Sequence, residues 1–233
     1  MLPMLYVVRM DVEASYLDEF VKWYDTRHAP DLIRTGFHSC SAYHAVRGGP
    51  FICNVYEIDG VESLASDAYV AVRQNDVQLM DEVMTKISNH SNTCYVQDTV
   101  TGVHEAAHRE GHRPSRAGAV TAPVVSTLRL DVSDARVDAM RAWFAAEDGR
   151  AREAGALRSR LARQDGKHPL FPSSQPEWIV VTEWAAVADA LAYDDRHPVE
   201  GSCIAAIGDG VSSLSFHVGV HSATLLNAST WTS

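Results

Sequence analysis

The sequence predicts an α+β protein built from two tandem βαββαβ units whose sheets pack against each other, and three observations carry that expectation. Val8-Arg9-Met10-Asp11-Val12 recurs as Leu128-Arg129-Leu130-Asp131-Val132, and at the same offset Trp23-Tyr24 recurs as Trp143-Phe144. Each copy runs through apolar runs and helical periodicities in one order. Finally, 233 residues with 46% hydrophobic content can bury one large core or two small ones.

The elements follow in sequence. Apolar, β-branched runs at 5–10 and 124–130 read as first strands. Leu17, Phe20, Val21 and Tyr24, then Val137, Met140 and Phe144, fall at helical spacing. Strands are expected at 37–46 and 51–58, answered by 157–163 and 178–184, where Tyr56-Glu57-Ile58 is echoed by Thr182-Glu183-Trp184. Helical regions at 61–87 and 187–207 lead to last strands at 93–99 and 211–220. This is the ferredoxin-like order, an antiparallel sheet with helices on one face. Packing two such sheets together covers the faces the helices leave bare and leaves space for a pocket. The expected organisation is a first unit over 1–100, a linker over 101–123, a second unit over 124–221 and a C-terminal tail over 222–233.

Lys and Arg number 20 against 30 Asp and Glu, a net charge of −10, which argues against nucleic acid or an anionic membrane as partner. The first apolar run meets Arg9 and Asp11 too early for a signal peptide or membrane span. Cys40, Cys53, Cys94 and Cys203 are widely spaced and read as reduced, buried thiols, and the expected compartment is cytoplasmic. Phosphate-binding glycine motifs, a serine nucleophile elbow and a C-x-x-C zinc pattern are all missing from the sequence.

His104-Glu105-Ala106-Ala107-His108 spells the zinc-protease signature H-E-x-x-H. It sits in the Gly- and Pro-rich connector, though, and the extended motif needs a third histidine where Pro114 stands; His112 falls two positions short. The expectation is a solvated linker, with no metal and no cofactor.

A denser signal is Trp23-Tyr24-Asp25-Thr26-Arg27-His28-Ala29-Pro30, continuing to Gly36-Phe37. His28 lies four residues after Tyr24 and so continues the apolar stripe, in the helix's last turn before Pro30 disrupts it. An imidazole at a pocket edge suits general acid/base chemistry; the plainer reading is a helix-end histidine packed on Tyr24. On the next strand, alternation separates His38, Cys40, Ala42 and His44 from Phe37, Ser39, Ser41 and Tyr43. His38, Tyr43 and His44 are therefore candidate polar contacts. Arg9 and Arg129, at matching places, could orient an anionic substrate or pair at the rim with Asp11 and Asp131. His217 and His221 share a face that could ligate iron with a third group. In the second copy Asp148 falls where His28 stands, and reads as a surface acid at a helix end.

The pattern W-Y-x-x-x-H-x-P-x-[LI]-x-x-x-G-F, after a short strand and helix, resembles the dimeric α/β-barrel superfamily. The nearest likeness is to EthD-like proteins and polyketide dehydratase-cyclases, with antibiotic-biosynthesis monooxygenases more distant. The match covers residues 5–46 well and the second copy only through the repeat. The resemblance implies that both units form one intrachain barrel and that His28 is an acid/base residue. It implies a cofactor-independent lyase, isomerase or cyclase acting on a small apolar or aromatic carbonyl compound. In that reading His28, Tyr43 and His44 are catalytic, and Trp23, Tyr24, His38, Arg9 and Arg129 contact the substrate. The partners are a small molecule and, beyond the chain itself, a second copy as homodimer. Three alternatives stand beside it: a cofactor-free monooxygenase on a phenol or quinol, a haem enzyme like chlorite dismutase, and a non-catalytic small-ligand binder.

Overall fold

The computed structural model describes residues 2–75, 77–102, 119–169 and 176–226. Eight antiparallel strands close into a barrel in the order β1-β3-β2-β8-β5-β7-β6-β4. The first repeat supplies β1 (Met4–Val12), β2 (Ser39–Gly48), β3 (Ile52–Ile58) and β4 (Ile87–Gly102). The second supplies β5 (Val124–Val132), β6 (Ala156–Gln164), β7 (Trp178–Trp184) and β8 (Val211–Leu226). Each set keeps the ferredoxin-like order 4-1-3-2. The sets join edge to edge through β2 with β8 and β4 with β6, so among the described residues no strand edge is left to pair with another chain. Closure also explains two boundary differences: β4 extends to Gly102 and β8 to Leu226, because their last residues pair across the seams with β6 and β2. Residues 222–226, expected in a tail, are thus strand.

Alternation divides each strand between two environments. Leu5 and Val7 point inward with Tyr43, Cys53, Val55 and Tyr95, forming the barrel core with Val125, Ala162, Ile179 and Val181. Tyr6, Val8 and Met10 point outward, beneath the helices of the first unit. Those helices are α1 (Leu17–Trp23), α2 (Ala29–Arg34), α3 (Asp67–Asn75) and α4 (Val77–Thr85). The second unit is covered by α5 (Val137–Glu153), α6 (Val187–Arg196) and α7 (Val199–Ile207), over a core that includes Trp143, Phe144, Trp178 and Trp184. All four cysteines are free and buried. Among the described residues no helix is long and apolar enough to cross a membrane. The H-E-x-x-H stretch, with His104, His108 and His112, lies outside the described residues.

One end of the barrel interior is polar, with its charges matched internally. Arg158 holds Glu183 at 2.6 and 3.0 Å, and Arg160 reaches the same carboxylate at 3.2 Å and Glu57 at 3.7 Å. All four side chains are at most 3% exposed. The recurrence of Glu57 as Glu183 is therefore structural: each repeat brings one acid to a shared buried network. Burial raises the pKa of Glu57, and its arginine neighbours oppose that shift. Replacing Glu183 with alanine removes the carboxylate that both arginines share, and should cost about 3–5 kcal/mol in chemical denaturation. A loss below about 1 kcal/mol would mean that water or a rearranged side chain replaces it.

Candidate active site

Between the outer face of the first sheet and its helices lies a cavity of about 70 Å³. Tyr6, Val8, Met10 and Tyr56 form its floor, and Phe20, Trp23, Tyr24, His28 and Leu32 its helical side. Tyr69, Val72, Arg73 and Met84 make the outer wall, with His90 and Asn92 entering from β4. Sequence reasoning missed most of this lining because its parts lie on five further elements, β1, β3, α3, α4 and β4. Two signals were available: the alternation that aims Tyr6 with Val8, and His90 with Asn92, to the outer face, and the helical spacing of Tyr69, Val72 and Arg73.

His28 reaches the cavity through an irregularity in the backbone. The helix does not end before Pro30, as expected, but continues through it. Tyr24–His28 forms a π-turn, in which the Ala29 N–H donates to the Tyr24 carbonyl five residues back, and α2 then starts afresh. Pro30 falls in the first turn of α2, where a missing N–H costs nothing. The wide turn amounts to one inserted residue. In the second repeat α5 runs regularly over 17 residues without it. Beyond the π-turn the repeats are therefore offset by one less than before it. Thr35 N–H donates to the carbonyls of Asp31 and Leu32, as Ala154 does to those of Arg150 and Ala151. Gly36 and Gly155 close the two helices at φ 108° and 105°, a region that favours glycine. The counterpart of His28 is thus Glu147, not Asp148 as direct counting gives. Such π-insertions occur frequently at functional sites.

The His28 ring packs on Trp23 at 4.7 Å and Tyr24 at 5.2 Å between centroids. Burial, reinforced by the charge of Arg73, pushes its pKa down to about 4, so the imidazole is neutral at pH 7. Its Nδ1, the Trp23 Nε1, the Tyr24 hydroxyl and the Asn92 Oδ1 are all buried without a hydrogen-bond partner in the described structure. Four orphaned polar atoms around one apolar cavity mark a place where a ligand with polar edges would satisfy them. A residue of the second unit backs two of the lining side chains. His168, 2% exposed, bonds the Tyr69 hydroxyl at 2.8 Å and lies 5.8 Å from the Tyr6 ring.

The other expected site residues are elsewhere. Tyr43 faces the barrel interior, and its hydroxyl donates to the carbonyls of Val120 and Ala122. His44 stacks on Phe51 at 5.0 Å, and His38 bonds the exposed Asp59 at 2.8 Å; neither lines the cavity. Arg9 and Arg129 are inside the barrel. His28, Trp23 and Tyr24 are therefore the expected residues that the fold brings together. Asp148 is not a surface acid but 3% exposed, accepting from Thr101 at 2.6 Å and pairing with Arg152 at 3.1 Å. The equivalent cavity of the second unit measures about 20 Å³ and is blocked by Phe144, Trp184 and Tyr193. Glu147 there is consumed by Tyr193 at 2.7 Å, Arg150 at 2.5 Å and Ser202 at 3.3 Å. Of the two equivalent cavities between sheet and helices, the first repeat's is the larger.

The sequence matches no protein-family model, and no curated protein matches it. Solved structures do match over nearly the full chain. A protein described as anthrone oxidase-like superposes with a TM-score of 0.64 at 11% identity, covering 98% of this chain and 94% of that one. A candidate monooxygenase from Fusobacterium nucleatum subsp. nucleatum gives 0.58 at 9% identity, over 97% and 94%. A haem-binding protein from Thermus thermophilus gives 0.53 at 11% identity, over 95% and 92%.

Proposed function

Because the chain has the dimeric α/β-barrel fold, with both halves in one polypeptide, we propose that it is an enzyme of the first-repeat cavity, in which neutral His28 takes a proton from a weakly acidic aromatic substrate. The substrate class is a phenol, quinol or anthrone, whose ionised form spreads its charge between carbon and oxygen. The observation that carries the reading is the buried His28 imidazole, its Nδ1 unpartnered, among three further orphaned polar atoms in a cavity of aromatic and aliphatic side chains. Tyr6, Tyr56 and Trp23 would hold the ring by its faces. Arg73, in the cavity wall, is placed to stabilise the oxyanion that proton loss creates.

Proton removal is shared by the lyase, isomerase and cyclase chemistry expected from sequence and by the oxygenase alternative. The structural neighbours described as a candidate monooxygenase and as anthrone oxidase-like favour the oxygenase branch. On an anthrone-type methylene, the carbanion gives electrons to O2. One oxygen atom becomes the new carbonyl, and the other leaves as water with the two methylene hydrogens. The balance needs no further reductant. The cavity, at about 70 Å³, is smaller than the ~150 Å³ space that holds benzene, so the outer wall around Met84 must yield on entry. Haem is not the group this cavity suits: His28 and His90 line a space far smaller than a porphyrin needs.

The test is oxygen uptake with a panel of hydroquinones, naphthols and anthrones. Stoichiometric O2 loss with quinone formation supports the oxygenase branch. Turnover of the same compounds without O2 loss returns the site to isomerase or cyclase chemistry. Tight binding with no turnover, unaffected by replacing His28, makes the chain a non-catalytic binder.

A further inference from the structure

The barrel interior has a second polar end, and unlike the Arg158–Glu183 end it is unmatched. Arg9 and Arg129 lie four residues further along β1 and β5 than the network, about 13 Å away. They are 0% and 5% exposed, and neither forms an ion pair among the described residues. The expected rim partners are occupied otherwise. A β-bulge follows each arginine, and beyond it Asp11 accepts from the Phe51 N–H and the Asn89 amide, while Asp131 accepts from the Glu177 N–H. The Arg9 guanidinium donates to the Gly49 carbonyl and to Ser215 at 3.4 Å, leaving its Nε without a partner.

The surroundings repeat this deficit. Arg129 Nε, both ring nitrogens of His217 and the hydroxyls of Ser91, Thr93 and Thr127 are buried and unpartnered in the described structure. Pairing registers put them on one inner face: Ser91 opposite Arg9, Ser215 opposite Arg129, and His217 opposite Thr127. Gly219 makes room for the imidazole, since a Cβ there would stand 2.6 Å from His217 Cε1. Burial and the two arginines hold the His217 pKa down to about 3, so the ring adds N–H capacity without adding charge. Arg129 opens on a recess at the barrel mouth, shared with Gly49, Pro50, Asn89, His90 and Asp11. Two buried like charges without an ion-pair partner are costly: burial first, then the charge of Arg129, lowers the Arg9 pKa to about 10, with Asp11 opposing.

We propose that this end of the barrel interior binds a small oxyanion, a phosphate, sulfate or carboxylate group, between the guanidinium groups of Arg9 and Arg129, with Ser91 and His217 as further donors. The anion would supply the charge that Glu57 and Glu183 supply at the other end. This site lies on the opposite face of the first sheet from the aromatic cavity, and it stands whether or not that cavity is catalytic. As a cation site the same end is unsuited, since two arginines flank His217, and no three metal-ligating side chains cluster among the described residues. That finding counts against the iron role considered for His217 and His221.

The test is thermal unfolding of the full chain in sodium phosphate, acetate or benzoate against sodium chloride at equal ionic strength. The expected result is a rise in Tm of about 5–10 °C at a hundredfold excess over Kd, beyond the chloride control. Arg129→Met should abolish that rise while the exposed Arg34→Met keeps it. A response to phosphate alone assigns a phosphoryl group or free phosphate; a response to the carboxylates assigns an organic acid. Equal curves in all four salts overturn the proposal. If Arg129→Met does not fold, His217→Gln and Ser91→Ala carry the same reading: an unchanged phosphate response in both overturns it, a weakened one supports it.

Discussion

Replacing His28 with glutamine should lower turnover by about 10²- to 10⁴-fold, the range a positioned acid/base group contributes, while circular dichroism and Tm stay close to those of the parent chain. The fold should survive because the His28 side chain holds no hydrogen bond that the rest of the structure depends on, and its Nδ1 is already unpartnered. The pH profile separates this role from mere packing. A base works when deprotonated, and with a pKa of about 4 the imidazole is already deprotonated throughout the neutral range. Turnover should therefore have no inflection near the ordinary imidazole value of about 6.5. It should run flat downward until the protein itself begins to unfold. An inflection near 6.5 that disappears in the glutamine variant would show that His28 titrates near its ordinary value during turnover. Unchanged turnover in the variant would remove His28 from the mechanism altogether.

The halves of the fold were legible because the repeat is written in residues with different structural jobs. Arg9 and Arg129 mark the inner face of the first strands, Glu57 and Glu183 the buried network, and Trp23 and Trp143 the helices. Strand order and spacing then lead to two ferredoxin-like sheets. The closure was less legible, because β2 with β8 and β4 with β6 pair residues far apart in sequence, and no local pattern announces such contacts. The ends of β4 at Gly102 and of β8 at Leu226 were underestimated for the same reason, since the seams keep them as strand, while the start of β4 at Ile87 is held by pairing with β1.

The site was legible only along one helix. Trp23, Tyr24 and His28 share a stripe, and spacing alone links them. The π-turn that aims His28 hides in the one-residue mismatch between the Trp23–Trp143 and Gly36–Gly155 offsets, visible in the sequence but uninterpretable without the backbone. Tyr69, Val72 and Arg73 share one face of α3, but nothing in the sequence ties that helix to the Trp23 stripe, and His168 comes from the other repeat. Tyr43 and His44 illustrate the opposite error. Strand alternation placed them on two faces correctly, but nothing local says that one face looks into the barrel and the other toward the Phe51 side of the helices.

Acidification should unfold this protein earlier than its charge alone predicts, with a midpoint between about pH 6 and pH 4. Burial holds His28 and His168 down to about 4 and His217 to about 3, and it lowers His44, His90 and His221 as well. In the unfolded chain each would take its proton near 6.5. The unfolded state therefore binds more protons than the folded state below that value, and stability present above pH 6.5 is lost as the pH falls toward the folded pKa values. The three most shifted groups together steepen the loss to about 4 kcal/mol per pH unit, against a typical total of about 5–15 kcal/mol. Glu57 and Asp25 work in the other direction, since burial raises both and their protonation favours the folded state on acidification. Two carboxyls do not offset six histidines. Tryptophan fluorescence along an acid titration reads the midpoint, and His168→Gln should move it downward by removing one titrating site from the unfolded chain. A midpoint below about pH 3, or one that the substitution leaves in place, would mean that these imidazoles are hydrated and titrate normally in the folded protein.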